Sequence, residues 1–175
     1  MSRVPLVTTR EALAPPAQAV FDSIMSSRGI VGGPFALLLH EPELARRVAQ
    51  LGSYIRFESD MLSRDRELAI LAVAVEMNCE YEWTFHEPLA LKADVPASDI
   101  AAIQAAREPA GEGADVVRYV RALLRSHRVD SGDFDALAVR LGSRGLIALT
   151  TTIGYYAMLA YLLNAFDITA AAKQA

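Results

Sequence analysis

Cysteine is almost absent from this chain: Cys79 stands alone among 175 residues. One thiol excludes an internal disulfide and any zinc site built from several cysteines, and it is the usage of a reducing compartment, so a cytoplasmic location is expected. Proline and glycine are also scarce, 18 together, which leaves too few turns for a many-stranded sheet. Lysine is nearly missing, with Lys92 and Lys173 against 15 arginines, and the basic residues form no block. With a net charge of -4, that spread excludes a surface for the nucleic-acid backbone, and no nucleic-acid partner is expected. The opening MSRVPLVTTREALAPP lacks the apolar run of a secretory leader.

What is abundant is alanine, 30 residues, within a composition 53% hydrophobic and 22% charged. Alanine is the strongest helix former, so the expectation is an all-α, single-domain helical bundle of about eight helices spanning 1–175, with 1–13 and 169–175 as peripheral arms. The periodicity predicts helices over Pro16–Arg28 (apolar at Ala19, Val20, Ile24 and Met25), a short turn at Phe35–His40, and Pro42–Glu58 with a stripe of Leu44, Val48, Leu51 and Ile55. A third long helix, capped by Ser63, is apolar on every face through LAILAVAV and should sit at the centre. Asn78 is positioned to cap the next, with Cys79 in its first turn and Pro88 interrupting it. Further helices follow over Ser98–Arg107, Ala114–Arg128 and Asp133–Leu141.

Leu146–Phe166 is 21 residues without a formal charge, long enough to span a bilayer. Thr150, Thr151, Thr152, Gly154 and Asn164 inside it, and the lack of a second such run, favour a helix buried on nearly all sides, at the centre of a bundle or at a subunit interface; no membrane partner is expected.

Chemistry concentrates in one segment. Cys79, Glu82 and His86 stand at i, i+3 and i+7 and share a helix face, while Glu67 lies twelve residues before Cys79. A carboxylate one turn from an imidazole can orient or charge it for general acid–base work, and Glu82 is the expected partner of His86. The helix start favours a thiolate at Cys79; Glu80 and Glu82 oppose one. Each residue also has an ordinary structural account: a first-turn carboxylate, a small buried hydrophobe and a helical ion pair. Three scattered histidines, His40, His86 and His127, do not make a metal site, and no metal is expected.

Glu67, Cys79 and His86 fall at the spacing of the E-x11-C-x2-C-x3-H signature, and this resembles the carboxymuconolactone decarboxylase and alkyl hydroperoxidase D superfamily. The stretches GPFALLLHEPELA, RELAIL, CEYEW and LLNAF extend the resemblance over about residues 30–168. It implies an alkyl hydroperoxidase D-like helical fold, a homo-oligomer of trimeric or hexameric type and a small-molecule substrate. The departure is Glu82, which stands where the redox signature has its second cysteine, so a two-cysteine cycle is impossible.

The resemblance therefore points to the decarboxylase branch: lyase-type, cofactor-free proton transfer on a small acidic, cyclic or carbonyl substrate. In that reading His86 is proton donor and acceptor, Glu82 its partner, Glu67 a second base or orienter, and Cys79 a pocket-lining thiol. Tyr81 and Trp83 are candidate pocket walls, and Arg56, Arg64 and Arg66 candidate cations for a substrate carboxylate. Two alternatives stand beside it: a one-cysteine peroxidase reduced by an external thiol, with peroxiredoxin-type activity, and a non-catalytic helical scaffold or ligand-binding protein.

Overall fold

The computed structural model describes residues 2–170. The described residues are helical throughout, without strands: α1 (Pro15–Arg28), α2 (Pro34–Leu38), α3 (Pro42–Ser53), α4 (Ser63–Glu76), α5 (Glu80–Lys92), α6 (Ala97–Gln104), α7 (Ala114–Ser126) and α8 (Ser131–Ala165). The all-α expectation of about eight helices is met. Part of the alanine-rich tail, 171–175, lies outside the described residues.

The chain divides into two compact units, Asp60–Tyr161 on one side and Met1–Ser59 with Leu162–Ala175 on the other. In the first, α4 is the hub and packs against α5, α6 and α7. Its run Leu68, Ala69, Ile70, Leu71, Ala72, Val73, Ala74 is buried on every face, as its uninterrupted apolar sequence requires. A helix enclosed in this way can hold a charged side chain only where a neighbouring helix supplies a partner, and α4 does so twice, at Asp65 and Glu67.

In the other unit α3 packs against α1 and α2. The expected stripe on α3 holds only in part: Val48 and Ile55 are buried, whereas Leu44 and Leu51 are exposed. The covered face is Ala45, Val48, Ala49 and Gly52, small residues that allow close helix approach, and the helix then widens into a π turn, Tyr54–Glu58, which changes the register of the apolar residues beyond it. Likewise α1 buries Phe21 and Ile24, while Met25 points to solvent. The N-terminal arm is tied to this unit, with Val7 buried and its amide donating to the Ala36 carbonyl at 2.9 Å.

Three expectations about helix ends are corrected. Leu62, in extended conformation, precedes α4, and Ser63 is its first residue and makes no capping hydrogen bond. Asn78 takes a left-handed conformation (φ 49°) where α4 ends, a geometry asparagine tolerates well, and it is Cys79 that stands at the N-cap of α5. Pro88 does not break α5, which runs through it to Lys92.

The two expected C-terminal helices form one long element broken at Gly142, whose φ of 65° and ψ of 171° lie where only glycine is comfortable. Within the single chain, its second half is covered on one face. Leu146, Leu149, Ile153, Tyr156 and Leu159 are buried, but Ile147 and Tyr161 are each 67% exposed on the opposite face. By length and composition α8 is the one described helix that could cross a membrane, and 56% of its most apolar window is buried inside the chain itself.

Candidate functional site

Glu67 projects from the second turn of α4, and His86 and Glu82 from α5, the helix that packs against it. All three are almost wholly enclosed: Glu67 is 3% exposed, Glu82 4% and His86 2%. His86 Nδ1 lies 2.7 Å from Glu67 Oε2, and its Nε2 lies 3.4 Å from Glu82 Oε2. The imidazole is thus held between two carboxylates, one on each nitrogen. Tyr156 of α8 meets the ring edge-on at 5.1 Å, and Phe85 lies 5.4 Å away on the α5 side.

The pairing differs from the helical expectation. Glu82, one turn before His86, is the more distant carboxylate, and the short hydrogen bond comes from Glu67 on the neighbouring helix. A charged carboxylate can only accept, so Nδ1 carries the proton of that bond and Nε2 faces Glu82. Arg66 Nε donates to the other oxygen of Glu67, Oε1, at 3.3 Å, which fixes Glu67 from both ends.

Cys79 is 2% exposed. Burial pushes its thiol up to about 11 and the charge of Glu82 adds to that rise, while the amides of Glu82 and Tyr81 at the helix start pull the other way. The contest between helix start and acidic neighbours is therefore settled by a third effect, desolvation. Burial also pushes the Tyr81 phenol up to about 12, with Glu82 and then Cys79 contributing in the same direction.

The other candidates separate. Trp83 is half-buried on α5. Arg56 belongs to the other compact unit, where its guanidinium lies 5.1 Å over the Phe57 ring. Arg64 is taken up by an ion pair with Glu112. Tyr156, which the sequence offers as either a pocket wall or a core residue, is in ring contact with His86; a second feature, the fully buried Asp65 that Arg140 of α8 reaches at 2.6 Å, was not foreseen from the residues. An Asp in the first turn of an otherwise apolar helix was the only signal for the second.

The described residues hold no cluster of three or more His, Cys, Asp or Glu side chains with metal-binding geometry.

Residues 42–125 match the model of the carboxymuconolactone decarboxylase family, a span that contains Glu67, Cys79, Glu82 and His86. Among solved structures, the chain resembles an alkylhydroperoxidase AhpD core, an uncharacterized peroxidase-related protein from Ralstonia eutropha, with a TM-score of 0.78, 16% identity and coverage of 95% of this chain and 90% of that one. A peroxidase-related protein from Silicibacter gives a TM-score of 0.74 at 13% identity, covering 95% and 92%. A cysteine-to-alanine variant of the debrominase Bmp8, in complex with 2,3,4-tribromopyrrole, gives 0.71 at 18% identity with the same coverage. No curated protein matches the chain in sequence. The fold is AhpD-like.

Proposed function

From the match of residues 42–125 to the carboxymuconolactone decarboxylase family model and from the AhpD-like fold, we propose that the chain is a member of that superfamily and an enzyme of acid–base chemistry: cofactor-free decarboxylation, or a related proton transfer, on a small cyclic or carbonyl substrate of acidic type. The observation that carries the reading is the buried imidazole with a carboxylate on each nitrogen.

The mechanism follows from proton counting. Glu67, held at Oε1 by Arg66, accepts from Nδ1–H at Oε2 and fixes the tautomer. One further proton is shared between Nε2 and Glu82 Oε2, which face each other at 3.4 Å. Placed on Nε2, that proton can be delivered to a substrate carbon as carbon dioxide leaves; placed on Glu82, it leaves Nε2 free to act as base. Both microstates carry the same net charge, so the proton moves without burying an additional charge. Tyr81 and Tyr156 would wall such a site and keep it dry.

Turnover of a panel of small carboxylated lactones and carbonyl acids by wild type and His86→Gln tests this reading, with loss of activity in the variant as the expected result.

The second reading is a one-cysteine peroxidase. Cys79 stands at a helix start with the Tyr81 and Glu82 amides acting to lower its pKa, and peroxidase-related proteins share the fold. Burial and Glu82 act against the thiolate that attack on peroxide needs, which is why we place it second. Peroxide consumption with dithiothreitol, and a trapped sulfenic acid at Cys79, would favour it over the first.

The proposal extends to a cytoplasmic homo-oligomer of trimeric or hexameric type; the exposed Ile147 and Tyr161 of α8 are the apolar surface that supports association.

A further inference from the structure

Arg66 stands out as a charged group whose expected use, holding a substrate anion, is at odds with where its nitrogen is. Its side chain is 12% exposed, and Nε is directed to Glu67 Oε1 at 3.3 Å, the oxygen that His86 does not use. Four groups from two helices then stand in a line of alternating sign: Arg66 and Glu67 from α4, His86 and Glu82 from α5. With His86 protonated the line is neutral. Without Arg66 it carries a net negative charge inside the protein, and Glu67 Oε1 loses a charge-assisted donor in a place water scarcely reaches.

The remaining ionisable neighbours cannot replace that cation. Cys79, Tyr81 and Tyr156 carry a thiol and two phenols, none of which supplies a cation.

We propose that Arg66 is a positioning residue of the proton relay: by holding Glu67 Oε1 it keeps Glu67 Oε2 on His86 Nδ1, so that the transferable proton stays between His86 Nε2 and Glu82. It is not the cation that binds substrate. This rests on the acid–base reading for its catalytic meaning, but its structural content does not depend on any turnover. Without the Arg66 donor, Glu67 Oε1 loses the contact that orients the carboxylate, and the Nδ1 hydrogen bond then ceases to fix the tautomer.

The test is nitrogen-15 NMR of histidine-labelled protein near neutral pH, with the His86 signals assigned by their loss in His86→Gln. In wild type Nδ1 is the protonated, hydrogen-bonded nitrogen. In Arg66→Gln the Nδ1 signal moves toward the average of the two nitrogens, and in Arg66→Lys, which keeps a cation at the position, it returns to the wild-type value. An unchanged Nδ1 in folded Arg66→Gln overturns the proposal, and so does an averaged Nδ1 in folded Arg66→Lys. These spectra decide the matter even if no substrate of the panel is turned over, which would count against the acid–base reading alone. Where turnover is found, Arg66→Gln lowers kcat roughly tenfold, the order of one lost charge-assisted hydrogen bond, with KM unchanged. A rise in KM confined to carboxylated substrates, with kcat retained, identifies Arg66 as the substrate anchor and overturns the proposal.

Discussion

His86 donates from Nδ1 to Glu67 Oε2 across 2.7 Å, between side chains that are 3% and 5% exposed and that come from different helices. Because neither group meets water, each depends on the other for its hydrogen bond, and the pair fixes the register of α5 on α4 at the site. Replacing one partner leaves the other unsatisfied, whereas replacing both by uncharged groups removes the conflict. A double-mutant cycle on Glu67→Gln and His86→Gln is therefore expected to show a coupling of about 1–3 kcal/mol in urea unfolding. Additive single effects would mean that the two do not act as a unit.

Cys79 gives a prediction in pH. Its thiol is pushed up to about 11, so the folded protein keeps that proton over a range in which the unfolded chain, with an ordinary cysteine pKa of about 8.5, has lost it. The stability contributed by the neutral thiol is fully present below the unfolded value and is lost as pH rises through the folded one. Cys79→Ala is thus expected to lessen the fall in stability between about pH 8.5 and 11. Iodoacetamide at pH 8 should leave the native thiol unmodified and alkylate it in urea. Rapid alkylation of the native protein at pH 8 would contradict the buried, protonated state.

The Asp65–Arg140 ion pair is structural. Asp65 is fully buried, and Arg140 bridges it at 2.6 Å and Asp115 at 2.9 Å, tying the first part of α8 to the start of α4 and of α7. Arg140→Ala strands the Asp65 carboxylate and should lower stability by about 2 kcal/mol, toward the low end for a broken buried pair because Arg140 is itself partly exposed. Urea unfolding should show a lower midpoint at an unchanged slope. Asp65→Asn in the Arg140→Ala background should recover part of the loss, since the stranded charge is gone.

Two glycines make opposite predictions. Gly113 has a φ of +94°, and a Cβ there would stand 2.5 Å from Leu68 Cδ1 on the enclosed central helix. Gly113→Ala is expected to cost about 1–3 kcal/mol through strain and overpacking. Gly154 lies within α8 with open space around its Cβ position, so Gly154→Ala should raise stability by about 0.5–1 kcal/mol through helix propensity alone. Thermal melts of the two variants separate the cases by sign.

Much of this was legible in the residues because it rests on local rules. The all-round apolar run Leu68–Ala74 announced a central helix, and the spacing of Cys79, Glu82 and His86 placed three polar groups on one face of α5. What escaped was tertiary. Helical periodicity offers Glu82 as the partner of His86, but it cannot show that α4 brings Glu67 closer. It assigned Leu44 and Leu51 to the buried stripe of α3, where the unit instead covers Ala45 and Ala49. Nor can sequence proximity tell that Arg66 is already engaged by Glu67. The uniform composition of the C-terminal apolar run does not show which face the chain itself covers; within one chain Leu149 and Ile153 are buried, and Ile147 and Tyr161 are exposed.

Proton transfer through His86 and thiol chemistry at Cys79 make different demands on the same site. The most direct measurement is a side-by-side comparison of wild type, Cys79→Ser and His86→Gln on a substrate found from the carboxylated lactone and carbonyl acid panel, with peroxide consumption assayed in parallel. With His86 as the acid–base group, Cys79→Ser keeps turnover within a factor of about three, while His86→Gln loses about 10²–10⁴-fold, the usual contribution of a general acid–base residue. Peroxide consumption by the wild type that vanishes in Cys79→Ser, with no turnover of the panel, would contradict the acid–base reading.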